Sequence, residues 1–467
     1  MLFSSIPFLY YFLPVVLIVY FAVPKRLKNL VLLLASLFFY FWGERMYTIL
    51  MLVTIVSSYV HGLLIDHFRG KVWSKVFLVT SIVSSIAVLG YFKYADFFIS
   101  NFNAMFHTDT PLLKVALPIG ISFYTFQTLS YTIDVYWGTA AVQKNPLKLA
   151  TYVALFPQLI AGPIVRYTTV EEDLTSRTHS FEKFSSGMGR FIIGLSKKVL
   201  LADAFGGLCE TFKASDEKSF LFYWIYAIAF CLHIYFDFSG YSDMAIGLGR
   251  IFGFRFLENF NYPYISKSVS EFWRRWHISL GSWFRDYVYI PLGGNRVSML
   301  KWLRNILVVW FLTGFWHGAD WTFIIWGLYF AVFLVLEKLF LAKWLKKAPS
   351  FVSHIYVIFV IIISFVIFNA DGLSGAISDL KGLFMLQDIP VVTEQTLYYL
   401  RSYAVLFILG LIGVTPLAKT LVEKANQNEK AATVIKIAAP VVELALLVVV
   451  TGYLVDGSFS PFLYFRF

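Results

Sequence analysis

Residues 2–23 read LFSSIPFLYYFLPVVLIVYFAV and contain no charged side chain. A run of about 17–25 mainly apolar residues is long enough to cross the hydrocarbon core of a bilayer as a helix. Similar blocks recur along the chain, and only short polar segments separate them. This pattern predicts an all-α polytopic membrane protein with about eleven transmembrane helices and two or three re-entrant or interfacial pieces.

The composition leads to the same class. The chain of 467 residues is 58% hydrophobic and 14% charged, whereas an ordinary soluble domain has about 25% charged residues. So few charged side chains would not cover the surface of a water-soluble globule of this size. The composition therefore excludes an ordinary soluble protein.

The net charge of +11 comes from Lys and Arg residues in the short loops between apolar blocks. Basic loops of this kind set membrane orientation and attract anionic lipid, so nucleic acid is not the expected partner. Residues 25–28 and 69–75 hold two such clusters, with two apolar blocks between them. The positive-inside rule places both in the cytoplasm and the N-terminus outside. No basic segment precedes the first block, so a cleavable signal peptide is not expected.

The segments between the apolar blocks are too short for a separate soluble domain, so we expect a single membrane domain over residues 1–467. Most polar residues at membrane depth fall between about 115 and 340, which we predict to be the catalytic region. Residues 1–100 and 350–467 are expected to be scaffold helices. Gly and Pro accompany polar residues at 118–127 and 161–166, which predicts broken helices beside a cavity.

His317 lies in residues 311–321, FLTGFWHGADW, with apolar blocks on both sides. An ionisable group at membrane depth is costly, and for that reason it is a functional candidate. A structural histidine bonded to a backbone carbonyl is an equally good interpretation of position alone. Gly314 and Gly318 have the small-xxx-small spacing that lets a neighbouring helix approach closely.

His277 lies in residues 272–280, FWRRWHISL. If residues 269–284 form one helix, His277 shares a face with four apolar side chains: Trp273, Trp276, Leu280 and Phe284. The arginines lie elsewhere on that helix, with Arg274 and Arg285 to one side and Arg275 nearly opposite. His277 and Trp276 would then point inward, while the arginines would bind either a ligand or lipid phosphate.

Residues 233–243, HIYFDFSGYSD, contain further polar groups in an apolar block. His233 and Asp237 have the i,i+4 spacing that allows a pair on one helix face, and Asp243 is another buried acid. Without a third ligand, these residues make a weak metal site, so no metal is expected. The two cysteines, Cys209 and Cys231, form neither a metal cluster nor a disulfide framework.

Together these stretches resemble the membrane-bound O-acyltransferase family, and in particular its bacterial branch. That branch includes alginate O-acetylation proteins, peptidoglycan O-acetyltransferases and the teichoic-acid D-alanylation membrane protein. The resemblance covers nearly the whole chain and is carried by the ends, 1–5 and 460–467, and by five internal segments: 118–136, 156–166, 235–254, 276–296 and 314–327.

The resemblance implies a fold and a site. His317 matches the invariant histidine of the family, and His277 matches its second functional polar residue. The fold implied is a ring of tilted helices around a thin central region that a tunnel crosses. On these grounds we predict catalytic His317 and His277, and the following substrate-binding residues: Trp276, Arg274, Arg275, Arg285, Trp316, Tyr241 and Asp243.

The resemblance also implies the reactants. An acyl thioester would enter from the cytoplasm, and acetyl-CoA is favoured over an aminoacyl carrier protein by the alginate-type C-terminal end. The acceptor hydroxyl would lie outside a bacterial cytoplasmic membrane, on a partner protein or a polysaccharide. No permanently bound cofactor is expected.

Transfer from a thioester to a hydroxyl needs a base with a near-neutral pKa, which an imidazole supplies. We therefore expect His317 to accept the proton of the hydroxyl. His277 would orient the donor or stabilise the oxyanion, and a covalent acyl-histidine is a variant of this scheme. Three alternatives stay open: D-alanyl transfer from a carrier protein toward teichoic acid, a transporter or channel, and an export scaffold.

Overall fold

The computed structural model describes residues 1–160, 162–456 and 462–463, and the regular structure in this part of the chain is helical. The α-helices are, in chain order, α1 Leu13–Ala22, α2 Lys28–Gly43, α3 Tyr47–His67, α4 Val72–Leu89, α5 Ala95–Phe106, α6 Ile121–Trp137, α7 Pro146–Ala154, α8 Phe156–Leu159, α9 Tyr167–Thr175, α10 Phe181–Ser196, α11 Asp203–Ala214, α12 Phe220–Ile251, α13 Val269–Arg275, α14 Ile278–Phe284, α15 Met299–His317, α16 Trp321–Leu336, α17 Ala342–Lys347, α18 Ser350–Asn369, α19 Gly372–Leu383, α20 Glu394–Ser402, α21 Ala404–Gly413, α22 Leu417–Ala425 and α23 Glu429–Val455. Short π-helical segments occupy Phe8–Phe12, Gly90–Tyr94, Lys197–Ala202, Arg285–Tyr289 and Glu337–Leu341, and 3-10 turns occupy Lys25–Leu27 and Pro263–Ile265.

Seven helical segments in the described chain are long and apolar enough to cross a membrane. They are Lys25–Gly43, Tyr47–His67, Val72–Phe106, Phe220–Ile251, Trp321–Lys347, Ser350–Asn369 and Glu429–Val455. Helices α20 and α21, which meet at a bend of 53°, make an eighth if they are counted as one broken span. The chain is thus an all-α, multi-pass membrane protein, as predicted.

The predicted number of about eleven spans is not confirmed. Several apolar blocks form helices that are shorter than a span, such as Phe8–Ala22. At the block that begins near residue 115, α6 begins only at Ile121, because Gly120 takes a left-handed conformation with φ of 78°. A Cβ atom at Gly120 would lie 2.7 Å from the carbonyl oxygen of Leu159, so only glycine fits this break.

The first of two compact units comprises, among the described residues, 1–191, 241–257 and 454–456. Within it α3 packs on α4 and α6, and α2 packs on α7. Its part of α12 approaches α10 at two glycines. A Cβ atom at Gly187 would lie 2.7 Å from the Gly247 carbonyl oxygen, and the reverse distance is 2.6 Å. Small residues at helix crossings are typical of membrane bundles.

The second unit comprises residues 192–240, 258–453 and 462–463. In it α15 packs along α16, and both α13 and α16 pack on α18. The α15–α16 crossing is close because Gly314 faces Gly327, where an added Cβ atom would overlap the backbone of the opposite helix. Gly318 lies against the ring of Phe323 in α16. The predicted close approach of a neighbouring helix is therefore confirmed at Gly314, whereas Gly318 follows the end of α15 and contacts a side chain.

The break predicted at 161–166 falls partly on Ala161, which lies outside the described residues. Beside it, α8 is a single short turn, and a Cβ atom at Gly162 would lie 2.6 Å from the Cα atom of Gln158. The chain is therefore irregular here, in agreement with the prediction. The C-terminal segment 460–467, which carries part of the family resemblance, also lies outside the described residues except for Phe462 and Leu463.

Candidate active site

The chain breaks between α13 and α14, and His277 lies at the break. Trp276 is extended, and His277 has a left-handed backbone with φ of 42° and ψ of 54°. The prediction of one helix over 269–284 is therefore wrong. His277 is nevertheless buried, with 1% of its surface exposed.

A neighbouring loop explains the break. The backbone N–H of Asn261 donates to the carbonyl of Arg275 at 2.9 Å, and the N–H of Ile278 donates to the carbonyl of Asn259 at 2.9 Å. These two bonds replace helical bonds that a continuous helix would make across the break. Histidine is among the residues that tolerate the left-handed region best.

The side chain of Asn259 is fully buried beside His277. Its Oδ1 atom accepts the backbone N–H of Ser279 at 3.1 Å and the hydroxyl of Ser279 at 2.9 Å. The same oxygen lies 3.2 Å from Nδ1 of His277. Sequence reasoning missed Asn259 and Ser279, because the contact depends on a fold-back of 18 residues that periodicity does not reveal.

His277 and His317 are both surrounded by aromatic rings. The ring of Phe238 is perpendicular to His277 at 4.6 Å between centroids. His317 contacts three nearly perpendicular rings, of Trp326 at 4.9 Å, Trp316 at 5.0 Å and Phe368 at 5.5 Å. Trp316 also lies 6.0 Å from the ring of His277, so one indole contacts both predicted catalytic residues.

His317 is the last residue of α15. The carboxyl end of a helix carries partial negative charge, which would stabilise a positively charged imidazole. The surroundings of His317 therefore suit a group that gains a proton during a reaction.

A cavity of about 260 Å³ opens beside His277, between the α13–α14 segment and α15. It is lined by Trp273, Arg274, His277, Ile278, Leu280, Gly281, Ser282, Phe284, Arg285, Val309, Trp310 and Thr313. The lining is mostly apolar, with a few convergent polar groups, which is typical of a small-ligand site. The lining includes one predicted catalytic histidine, His277. On α15 its last residue is Thr313, one turn before His317.

The structure separates the three predicted arginines. Arg274 and Arg285 line the cavity, and Arg285 also makes a two-point ion pair with Asp286 at 2.6 and 3.0 Å. Arg275 is not among the lining residues. It binds Glu271 at 2.8 Å and the carbonyl of Asn261 at 3.2 Å, so its observed contacts hold the local backbone.

Tyr241 and Asp243 belong to the first unit. The ring of Tyr241 stacks on Phe3 at 4.8 Å. One carboxylate oxygen of Asp243 accepts two bonds from Arg190, at 2.8 and 3.0 Å. Their proposed roles in substrate binding stay predictions.

A buried ionic cluster occupies a different part of the second unit. The fully buried ammonium of Lys198 lies 2.6 Å from Asp203 and 2.7 Å from Asp237. Asp237 also accepts the backbone N–H of Leu463 at 2.9 Å, while Nδ1 of His233 lies 2.7 Å from the carbonyl oxygen of Ala202. The observed partner of Asp237 is therefore Lys198, which the sequence analysis did not single out.

Comparisons with known proteins identify the family. The model of the membrane-bound O-acyltransferase family matches residues 140–376. The chain is 38% identical to the probable alginate O-acetylase of Azotobacter vinelandii over the full length of both. It is 42% identical to that of Pseudomonas aeruginosa over 80% of this chain and 73% of the relative.

A peptidoglycan O-acetyltransferase of Helicobacter pylori is 35% identical, over 83% of this chain and 81% of its own length. The region matched by the family model contains both predicted catalytic histidines. The family resemblance predicted from the sequence is confirmed. The chain belongs to the membrane-bound O-acyltransferase family and is an acyltransferase.

Proposed function

We propose that this protein transfers an acetyl group from cytoplasmic acetyl-CoA to a hydroxyl group on the outer side of a bacterial cytoplasmic membrane. The observation that carries the proposal is the cavity beside His277, with Arg274 and Arg285 in its wall. Relatives whose names specify alginate O-acetylase or peptidoglycan O-acetyltransferase support acetyl as the group and carbohydrate as the final acceptor.

The size of the cavity bears on the donor. Pockets that enclose a drug-sized ligand have about 300–1,000 Å³, and this cavity has about 260 Å³. That volume suits the narrow pantetheine arm and its thioester, with the nucleotide of coenzyme A outside. Arg274 and Arg285 would then bind phosphate groups near the opening, where guanidinium groups make paired hydrogen bonds.

In the proposed reaction, the hydroxyl oxygen of the acceptor attacks the thioester carbonyl carbon. His317 accepts the hydroxyl proton as the new C–O bond forms. The C–S bond then breaks, and the proton passes from His317 to the departing thiolate, which leaves as coenzyme A. The position of His317 at the carboxyl end of α15 supports this role, because the partial negative charge there stabilises the imidazolium between these steps.

We infer the acceptor from the family and the orientation from the loop charges. An acceptor outside the membrane, on a polysaccharide or a partner protein, would meet the acyl group through a tunnel within a ring of helices. Basic residues at 25–28 and 69–75 support a cytoplasmic position for those loops and an outer N-terminus. Trp316 would form part of the passage, because its ring contacts both histidines.

The test uses the full chain, purified and reconstituted, with labelled acetyl-CoA and an oligosaccharide acceptor. We expect thioester cleavage and labelled acceptor from the wild type, and a loss of at least about 100-fold in His317→Ala, as for removal of a general base. His67→Ala is the matched control, since His67 is exposed. Near-native transfer by a folded His317→Ala protein would refute the assignment. Uptake or release of acetyl-CoA without cleavage would instead favour a transporter.

A further inference from the structure

The buried amide of Asn259 determines which nitrogen of His277 carries the proton. Its side chain has an oxygen that accepts and a nitrogen that donates, and either could in principle face Ser279. The backbone N–H of Ser279 can only donate, and it lies 3.1 Å from the Asn259 side chain. The atom at that position must therefore be the accepting oxygen, Oδ1.

The orientation of Asn259 determines the tautomer of His277. Oδ1 offers lone pairs only and lies 3.2 Å from Nδ1 of His277, so Nδ1 must be the donor. The hydroxyl of Ser279 is 2.9 Å from Oδ1 and 3.4 Å from Nδ1. The hydroxyl therefore donates to Oδ1, the nearer atom, and directs a lone pair toward Nδ1. Both neighbours thus place the proton of a neutral ring on Nδ1 and its lone pair on Nε2.

The surroundings keep this ring neutral. His277 is almost fully buried, and the charged groups that line its cavity, Arg274 and Arg285, are both cations. Burial lowers the pKa of His277, which lies outside the candidate spans, to about 3. At neutral pH the ring therefore has one donor and one acceptor, in fixed positions.

We propose that Asn259 is a positioning residue that holds His277 in the Nδ1–H tautomer, so that His277 meets the donor substrate through Nε2 as a hydrogen-bond acceptor. A neutral ring of this tautomer has no proton at Nε2 to give to an oxyanion. Of the two roles open to His277, orienting the donor is therefore the one it performs. Nε2 accepts a hydrogen bond from an amide N–H of the pantetheine arm. The identity of this donor substrate rests on the proposed function.

Nitrogen NMR of the purified full chain, labelled with ¹⁵N-histidine, tests the tautomer directly. The His277→Gln variant identifies the signals of His277 by their loss. We expect the wild type to show a protonated Nδ1 and an unprotonated Nε2. Asn259→Asp, which keeps an accepting oxygen, should retain this pattern, and Asn259→Leu should not. A wild-type ring with its proton on Nε2 would overturn the proposal even if the enzyme is fully active.

Kinetics supply the second readout. Loss of one oriented hydrogen bond should raise the KM for acetyl-CoA about tenfold in Asn259→Leu, with a smaller change in kcat, and Asn259→Asp should recover most of it. Asn261→Leu is the matched control, because its side chain is exposed and only its backbone bonds to Arg275. Equal KM values in Asn259→Leu and Asn261→Leu would contradict the positioning role. If Asn259→Leu does not fold, the wild type and Asn259→Asp still decide the tautomer.

The two proposals fail in different ways. Active His317→Ala protein with the expected His277 tautomer would reject the role of His317 and leave Asn259 in place. An inactive His317→Ala protein in which His277 carries its proton on Nε2 would support the role of His317 and reject that of Asn259.

Discussion

At the scale of the residue, the left-handed backbone of His277 places a functional candidate at a turn rather than on a helix face. Backbone strain at such positions is of the order of 1 kcal/mol and persists where the surroundings enforce it. Here the enforcing groups are the backbones of Asn259 and Asn261 and the side chain of Asn259, which accepts the N–H of Ser279. The site is thus held by a loop that packs against the break, and its geometry depends on that loop.

The arginines allow a matched comparison. Arg274 lines the cavity, whereas the adjacent Arg275 is bound to Glu271. We expect Arg274→Gln to raise the KM for acetyl-CoA about tenfold, because a charge-assisted bond to phosphate is worth about 1.5–3 kcal/mol. Arg275→Gln should leave KM within about twofold and act mainly on thermal stability. Initial rates over a range of acetyl-CoA concentrations distinguish them, and equal KM effects would contradict the placement of Arg274.

The depressed pKa of His277 predicts a pH dependence of stability. The ring stays neutral in the folded protein down to about pH 3, whereas the unfolded chain binds a proton near pH 6.5. The unfolded state therefore gains protons first as the pH falls, and stability decreases by about 1.4 kcal/mol per pH unit below 6.5.

Thermal unfolding in detergent at pH 6.5 and pH 5 measures this effect. From pH 6.5 to pH 5, the free energy of unfolding of the wild type should fall by about 2 kcal/mol more than that of His277→Gln, whose side chain at this position does not titrate. An identical loss in the two proteins would show that His277 is protonated in the fold.

Periodicity placed His277 and Trp276 inside and was right about burial, yet it was wrong about the helix. Periodicity treats residues 269–284 as one continuous helix, but hydrogen bonds from Asn259 and Asn261 interrupt that helix. Such partners are invisible in a helical wheel. The pairing of Lys198 with Asp237 could not be predicted for the same reason, because the two residues lie on different helical segments without a periodic spacing.

At the scale of the element, the crossing of α15 and α16 positions His317. Gly314 and Gly327 bring the two backbones together, and Trp326, one residue before Gly327, contacts the His317 ring. The small residues predicted from spacing thus have a direct link to the site. The partner glycine in α16 could not be chosen from sequence, because several glycines lie in neighbouring helices.

Gly314→Ala should displace α15 from α16, because the new methyl group would overlap the backbone of Phe323. Overpacking of this kind costs about 1–3 kcal/mol, and the shift of His317 should lower kcat about tenfold or more. Gly207→Ala is the control, since nothing lies within 4 Å of its added methyl group. Its helix should become slightly more stable, by about 1 kcal/mol or less. Transfer assays and thermal midpoints of both variants test this, and equal effects would refute the packing argument.

At the scale of the whole molecule, the apolar blocks predicted the helical class and its multi-pass character. The number of spans was not predictable in the same way. Whether a block becomes one helix depends on local features such as the left-handed Gly120 and the carbonyl of Leu159 beside it. Hydropathy averages over such features, so it detects the block and misses the break.

Orientation can be tested by cysteine labelling. Both native cysteines are buried, so a background with Cys209→Ala and Cys231→Ala is practical. We expect Lys71→Cys to react with an impermeant maleimide from the cytoplasmic side, and Asp109→Cys from the outer side, because one candidate span, Val72–Phe106, separates them. Both positions are exposed. Labelling of both from the same side would refute this arrangement.

The ionic cluster of Lys198, Asp203 and Asp237 has a consequence for biogenesis. A single charge at the centre of an inserting helix costs about 2.5–3.5 kcal/mol, and two of these groups, Asp203 and Lys198, precede the span that contains Asp237. Lys198 and Asp203 already form an oppositely charged pair within one segment at 2.6 Å, whereas Asp237 reaches its cation, at 2.7 Å, only when its span packs against Lys198. During synthesis, the span Phe220–Ile251 therefore gains by leaving the translocon together with the segment that holds Lys198, because that ammonium compensates the carboxylate of Asp237.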